Sequence, residues 1–205
     1  MLTHNVKRFK VEKPAGYTFV PGQATDVAIN KPGLENELRP FTFTSLPDAD
    51  HLEFMIKMYT GHNGMTEKLR DVNAGDELIV HEVFGAIEFK GPGLFIAGGA
   101  GITPFVAILR HLKSLNKLQG SSLLFANRTR TDIILKDELE EILGDGYTNV
   151  IETPSGRRIT KELLKQHLTS SSEHCYVCGP DEFTKKMVQF LEELGVNNSN
   201  IIIEK

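Results

Sequence analysis

Two textures of hydrophobic patterning divide the chain. Up to about residue 90 apolar positions alternate with polar ones, as in HLEFMIKMY, where Leu52, Phe54, Ile56 and Met58 fall on one face. Successive side chains of an extended strand point to opposite sides, so a period of two predicts half-buried antiparallel strands. KRFKVE, TDVAI, RPFTFTSL, HLEFMIKMY and DELIVHEVF carry that pattern, and KPAG, NKPG, LPDAD and NAGD separate them with turn-forming residues. Several short strands at close spacing predict a small antiparallel β-barrel. The helical candidate in this half is GMTEKLRDV, starting just after Gly64.

After GPG at 91 to 93 the pattern changes to short continuous apolar runs alternating with amphipathic stretches. GLFIAGG, SSLLFAN, TNVIET, HCYVCGP and NIIIEK read as buried strands, each except the last followed by a helical pattern. In DEFTKKMVQFLEEL, Phe183, Met187, Phe190, Leu191 and Leu194 share one helical face. Strand starts recur about every 27 residues, close to the repeat of a strand, helix and strand unit. This predicts an α/β doubly wound five-stranded parallel sheet with helices on both sides. Two domains are expected, 1–91 and 92–205.

Composition narrows the function classes. The 205 residues are 40% hydrophobic and 24% charged with a formal charge of -4, which fits a folded core and argues against a nucleic acid partner. The longest apolar run, 93 to 109, is broken by Gly and Pro, so no membrane helix is expected. MLTHNVKRFKVEK lacks an apolar h-region and a cleavage site, so no secretory signal is expected, and two cysteines fit a reducing cytoplasm. Seven histidines without a pair at ligand spacing predict no metal site, and no G-x-S-x-G elbow argues for a hydrolase.

Several segments carry candidate chemistry. GGAGITPF at 98 to 105 joins the first parallel strand to its helix. Glycines there let backbone approach a pyrophosphate, and a helix N-terminus favours its charge; the bland alternative is a tight turn. The second parallel strand ends at Asn127 and Arg128, where a dinucleotide fold usually carries an acidic ribose ligand. Arg128 there has three readings: a 2'-phosphate partner, an adenine neighbour or a solvated side chain. In RPFTFTSLP, Phe41 and Phe43 share one face and Thr42 and Thr44 the other, a pattern a barrel core explains without a ligand. Gly64 and Thr66 stand at a helix start, suited to capping and equally to phosphate. In HCYVCGP the C-x-x-C spacing resembles a redox or metal motif, but residues three apart on a strand face opposite ways. Cys175 is therefore expected to be a packing residue, and Cys178 to end its strand where ligands of open parallel sheets bind.

RPFTFTSLP, GHNGMTEKL, GGAGITPF and CGPDEF, in this order over nearly the whole chain, resemble the ferredoxin-NADP reductase superfamily of flavoenzymes. The resemblance implies a flavin-binding barrel followed by a pyridine-nucleotide domain. It implies flavin phosphates at Arg39 and Pro40, the isoalloxazine ring against Phe41, and its reducible nitrogen at Thr42. It further assigns the strand segment Ile56, Lys57 and Met58 to the flavin, and Gly64, Met65 and Thr66 to its pyrophosphate. Thr103 would stand between flavin and nicotinamide, Gly99 and Gly101 would admit nucleotide phosphates, and Cys178, Gly179 and Pro180 would face the hydride-donating carbon. The turn at 61 to 66 resembles the FAD type more than the FMN type. NADH or NADPH would donate the hydride: the segment after 122 resembles NADH users, while Arg128, Arg157 and Arg158 offer charge for a 2'-phosphate. Relatives carry a barrel strand before the segment matching LTHNVKRF, and many end in an aromatic over the flavin; this sequence starts at the former and stops at IIIEK. No C-x4-C-x2-C cluster motif occurs, so the acceptor is expected to be separate: a ferredoxin, a flavodoxin or an oxygenase component. The competing expectations are a free-flavin or ferric reductase and a non-catalytic electron-transfer subunit.

Overall fold

The computed structural model describes every residue except 62, 63, 86, 154, 155, 172 and 205. The alternating segments form five antiparallel strands, β1 (Val6–Glu12), β2 (Gln23–Ile29), β3 (Arg39–Thr42), β4 (His51–Lys57) and β5 (Leu78–Gly85). β1 pairs with β4, and β2 lies between β3 and β5. At one corner the chain changes partner: the Phe43 amide donates to the Gln23 carbonyl at 3.1 Å and the next amide, Thr44, to the Glu53 carbonyl at 2.8 Å. The regular ladder of β3 therefore stops at Thr42, earlier than the alternation predicts, and the corner links the two sheets around one core. Phe43, Leu52, Phe54 and Ile56 fill that core together with Met65 and Leu69.

The helix expected at 64 to 72 is a single α-turn, α1 (Met65–Lys68), continued by a 3-10 turn over Leu69–Asp71. Carbonyls at its end accept from a side-chain donor. Lys7 Nζ donates to those of Leu69, Arg70 and Val72 at 3.3, 2.9 and 2.5 Å.

The second half is the expected parallel sheet. β6 (Gly93–Gly98), β7 (Ser122–Asn127), β8 (Tyr147–Ile151), β9 (His174–Cys178) and β10 (Ile201–Ile203) lie in the order β10-β9-β6-β7-β8. Between them run α2 (Thr103–Ser114), α3 (Lys136–Leu143), α4 (Lys161–His167) and α5 (Asp181–Glu193). α2 begins with Pro104 in its first turn, where a missing N–H costs nothing. α4 starts at Thr160, whose hydroxyl accepts from the Leu163 amide at 3.2 Å. The winding reverses between β6 and β9, so Gly98 and Cys178 end side by side, and crevices at such points bind ligands.

The two faces of this sheet belong to separate cores. Phe95, Ala97, Phe125, Tyr176 and Cys178 pack with Phe105, Leu109 and Leu139 on one side. Leu94, Ile96, Leu124, Cys175 and Val177 pack with Leu164, Met187 and Leu191 on the other. The two cysteines are thus divided by strand geometry, as their spacing predicts, and both are free. Val6, Met55 and Ile87 join the first of these cores, so the barrel and the parallel sheet share packing. Among the described residues no helix is long and apolar enough to cross a membrane.

Candidate functional site

A cleft of about 1300 Å³ runs between the barrel and the switch point of the parallel sheet. Pro40, Phe41 and Thr42 of β3 line it, with Ile56 and Lys57 of β4 and Thr66 of α1. Across from them stand Gly99, Gly101 and Thr103, then Asn127 and Arg128 at the end of β7, and Cys178, Gly179 and Pro180 at the end of β9. Segments read separately in the sequence thus converge: the turns after β6, β7 and β9 lie on the carboxyl rim of the parallel sheet, and β3, β4 and α1 face them from the barrel.

Four of the residues singled out from sequence lie elsewhere. Met58 and Met65 are buried in the barrel at 2% and 0% exposure, which leaves only their backbone for a ligand. Arg39 is exposed outside the lining, with Nη1 donating to the Leu38 carbonyl at 2.7 Å. Gly64 is extended, at φ -86°, and its carbonyl accepts from the amides of Glu67 and Lys68 at 3.0 and 3.2 Å. His62 and Asn63 of the same turn lie outside the described residues. Phe41 and Phe43, expected on one core face, pack in the same barrel core, where Phe43 is fully buried and Phe41 is half-buried and also reaches the cleft.

The centre of the cleft is a contact between the two halves. Thr42 Oγ1 donates to Thr103 Oγ1 at 2.8 Å, joining β3 to the first turn of α2. Gly99 has φ +54°, the left-handed region, and a Cβ there would meet nothing within 4 Å. Gly101 is required for a different reason from phosphate access: a Cβ would lie 2.3 Å from the Cys178 carbonyl oxygen. The turns after β6 and β9 touch backbone to backbone, and Phe183 of α5 fills the space beside Gly98 and Gly179.

Cys178 is 4% exposed, and its Sγ lies 3.2 Å from Glu204 Oε2. Burial pushes its pKa up, and the Glu204 carboxylate adds to the shift, so the thiol is a neutral donor at physiological pH. Burial likewise raises Cys175 to about 12. Asn127 is 6% exposed, yet neither its amide nitrogen nor its amide oxygen has a partner. An unpaired buried amide costs about 1–3 kcal/mol, so this side chain fits a polar ligand in the cleft. Arg128, Arg157, Arg158 and Lys186 line the same cleft, and Arg158 is paired to Glu152. This donor set fits the negatively charged phosphates of a dinucleotide.

Tyr59 and Glu204 are among the lining residues that the sequence reading did not single out. Tyr59, 52% exposed, follows β4 and holds the Lys57 ammonium 5.4 Å from its ring centroid. An aromatic just past the end of an alternating strand was the available signal. Glu204 had none, since its partner Cys178 is 26 residues away.

Comparison with known proteins bears on this arrangement. Residues 1–92 match the oxidoreductase FAD-binding domain and residues 95–189 the oxidoreductase NAD-binding domain. The reductase component of propane 2-monooxygenase from Rhodococcus jostii (strain RHA1) is 30% identical, over 94% of this chain and 57% of its own length. NADH–cytochrome b5 reductase 1 of Arabidopsis thaliana is 31% identical, over 95% of this chain and 76% of its own. A ferredoxin NADP+ reductase from Neisseria gonorrhoeae, solved with FAD and NADP, shares the fold with a TM-score of 0.80 at 22% identity, over 96% of this chain and 91% of that one. The chain spans 57 to 62% of the length of the propane 2-monooxygenase reductase components it matches.

Proposed function

The chain belongs to the FAD- and NAD-binding oxidoreductases of the ferredoxin-NADP reductase superfamily, and on that premise we propose that it transfers hydride from NADH to FAD and passes the electrons to a separate acceptor protein. The observation that carries this reading is the 2.8 Å hydrogen bond from Thr42 to Thr103. It closes the strand assigned to flavin onto the helix start assigned to nicotinamide, so both ligands would meet in one cleft. Bound FAD supplies two-electron uptake with one-electron release, which no side chain here can perform.

The chain's own residues bind and orient. Thr42 and the backbone of Ile56 and Lys57 would hold the flavin ring, with Gly64, Met65 and Thr66 at its pyrophosphate and Arg39 as a charged partner. Gly99 would leave room for the nucleotide phosphates, and Asn127 would offer its unpaired amide nitrogen and oxygen to the same ligand. Cys178, held protonated by burial and by Glu204, would place a neutral thiol at the reacting face and hold its proton on Sγ. Glu152 pairs with Arg158 and so engages a guanidinium that a further phosphate would need, which favours NADH. The acceptor we propose is a one-electron carrier, such as a ferredoxin, a flavodoxin or an oxygenase component.

Anaerobic titration with NADH and NADPH in parallel tests the reading. FAD-loaded protein should bleach stoichiometrically with NADH and more slowly with NADPH. Protein that takes up no FAD, or bound FAD that neither nucleotide reduces, defeats it.

A further inference from the structure

α2 is fastened to the barrel at two points on one helical face. At its first residue Thr103 accepts the hydrogen bond of Thr42. Seven residues on, Arg110 Nη1 donates to Glu53 Oε1 of β4 and to the Thr44 carbonyl, both at 2.6 Å. Its Nε and Nη2 make a fork on Glu138 of α3 at 2.5 and 2.9 Å. Positions i and i+7 lie two turns apart, about 10 Å along the axis. Glu53 occupies the polar alternation of β4 yet is only 3% exposed, and its Oε1 also accepts from the Thr44 hydroxyl at 2.9 Å. Met55, on the same side of β4, packs into the core that α2 shares.

We infer that Arg110 is a positioning residue for hydride transfer: by clamping β4 to α2 and α3 it sets the separation across the cleft between the segment 55–57 and the turn carrying Thr103. The inference rests on the function proposed above. Beside the Thr42–Thr103 bond, Val6, Met55 and Ile87 pack with the apolar face of α2, contacts without direction; the Arg110 bonds two turns away add a directional constraint on the rotation of the helix. A buried ion pair adds little net stability over an apolar pair of the same shape, whereas a planar guanidinium holding four directed bonds fixes orientation. Arg110 therefore acts on geometry more than on folding free energy. Glu53, Met55 and Lys57 alternate along β4, so a shift at the Glu53 end is carried to the Lys57 end that lines the cleft.

Arg110→Met keeps the length of the stem and removes the directed bonds. In the FAD-loaded chain the limiting rate of flavin reduction at saturating NADH should fall roughly ten- to a hundredfold, the scale of a misplacement of about 1 Å. The NADH concentration for half-saturation should change little, and the long-wavelength charge-transfer absorbance seen on mixing should weaken. Independently of activity, hydrogen exchange at the Thr44 amide, bonded to the Glu53 carbonyl across the clamp, should speed up. Glu53→Gln should act in the same direction, and the double variant should be no slower than Arg110→Met. General destabilisation would instead give additive losses. Arg110→Lys keeps the charge without the fork and should recover only part of the rate; it carries the same measurements if Arg110→Met does not fold. A folded, FAD-loaded variant with wild-type limiting rate and absorbance overturns the inference. Wild-type protein that neither nucleotide reduces defeats the proposed function, a distinguishable failure.

Discussion

Replacing Gly101 by alanine asks whether the turns after β6 and β9 must touch for the site to work. The added Cβ would lie 2.3 Å from the Cys178 carbonyl oxygen, 2.5 Å from its carbonyl carbon and 2.6 Å from the Gly179 nitrogen. All three are backbone atoms, so no flexible side chain can move aside. Ordinary carbon–oxygen approach begins near 3.3 Å, so the turns must part by about 1 Å. Over-packing of this kind costs about 1–3 kcal/mol. The same movement displaces Thr103, two residues on, from Cys178, and a misplacement of about 1 Å can cost roughly a hundredfold in rate. Urea unfolding should therefore show a loss of about 1–3 kcal/mol, while stopped-flow reduction by NADH slows about ten- to a hundredfold with FAD retained. Leu112→Ala serves as the control: it truncates a core residue near the far end of α2 at about 2–5 kcal/mol but leaves both turns in place, so the reduction rate should hold. A Gly101→Ala protein with wild-type stability refutes the close approach. One that is destabilised but reduced at the wild-type rate refutes the link from turn to chemistry.

Asn127→Leu removes a buried amide with no partner among the described residues, so thermal stability should hold or rise while nucleotide binding weakens about three- to tenfold, the scale of one hydrogen bond; unchanged affinity in equilibrium titration would count against the assignment. Arg39→Ala should lower FAD affinity by roughly tenfold or more, as loss of a charge-assisted bond predicts; undiminished FAD content after gel filtration would refute this. Alkaline pH should destabilise the fold. Burial holds Cys175 near 12 and Cys178 higher, against an ordinary thiol value near 9, so between these values the unfolded chain has lost protons that the folded chain keeps. Stability is then complete below about pH 8.5 and declines as pH rises towards 12. Cys175→Ala should flatten that decline by up to about one proton, and a slope equal to wild type would contradict it.

What could be read directly from the chain was local. β4 announces itself because a period of two needs only the neighbours of each residue, and the parallel strands do so through apolar runs ended by Gly or Pro. GGAG and CGP could be placed at the carboxyl ends of their strands because a common direction follows from repeated strand and helix units, whereas the adjacency of β6 and β9 was decided by the tertiary fold. The same alternation misplaced Glu53: it marks the residue as belonging to the face away from the barrel core, and a lone barrel would leave that face to water. The α/β domain covers it, and the carboxylate then needs Arg110, 57 residues away. Glu204 beside Cys178 and the Cys178 carbonyl beside Gly101 are of the same kind. Side-chain periodicity reports which way a residue points relative to its own element; what it meets there depends on how distant elements pack, and no local pattern carries that information.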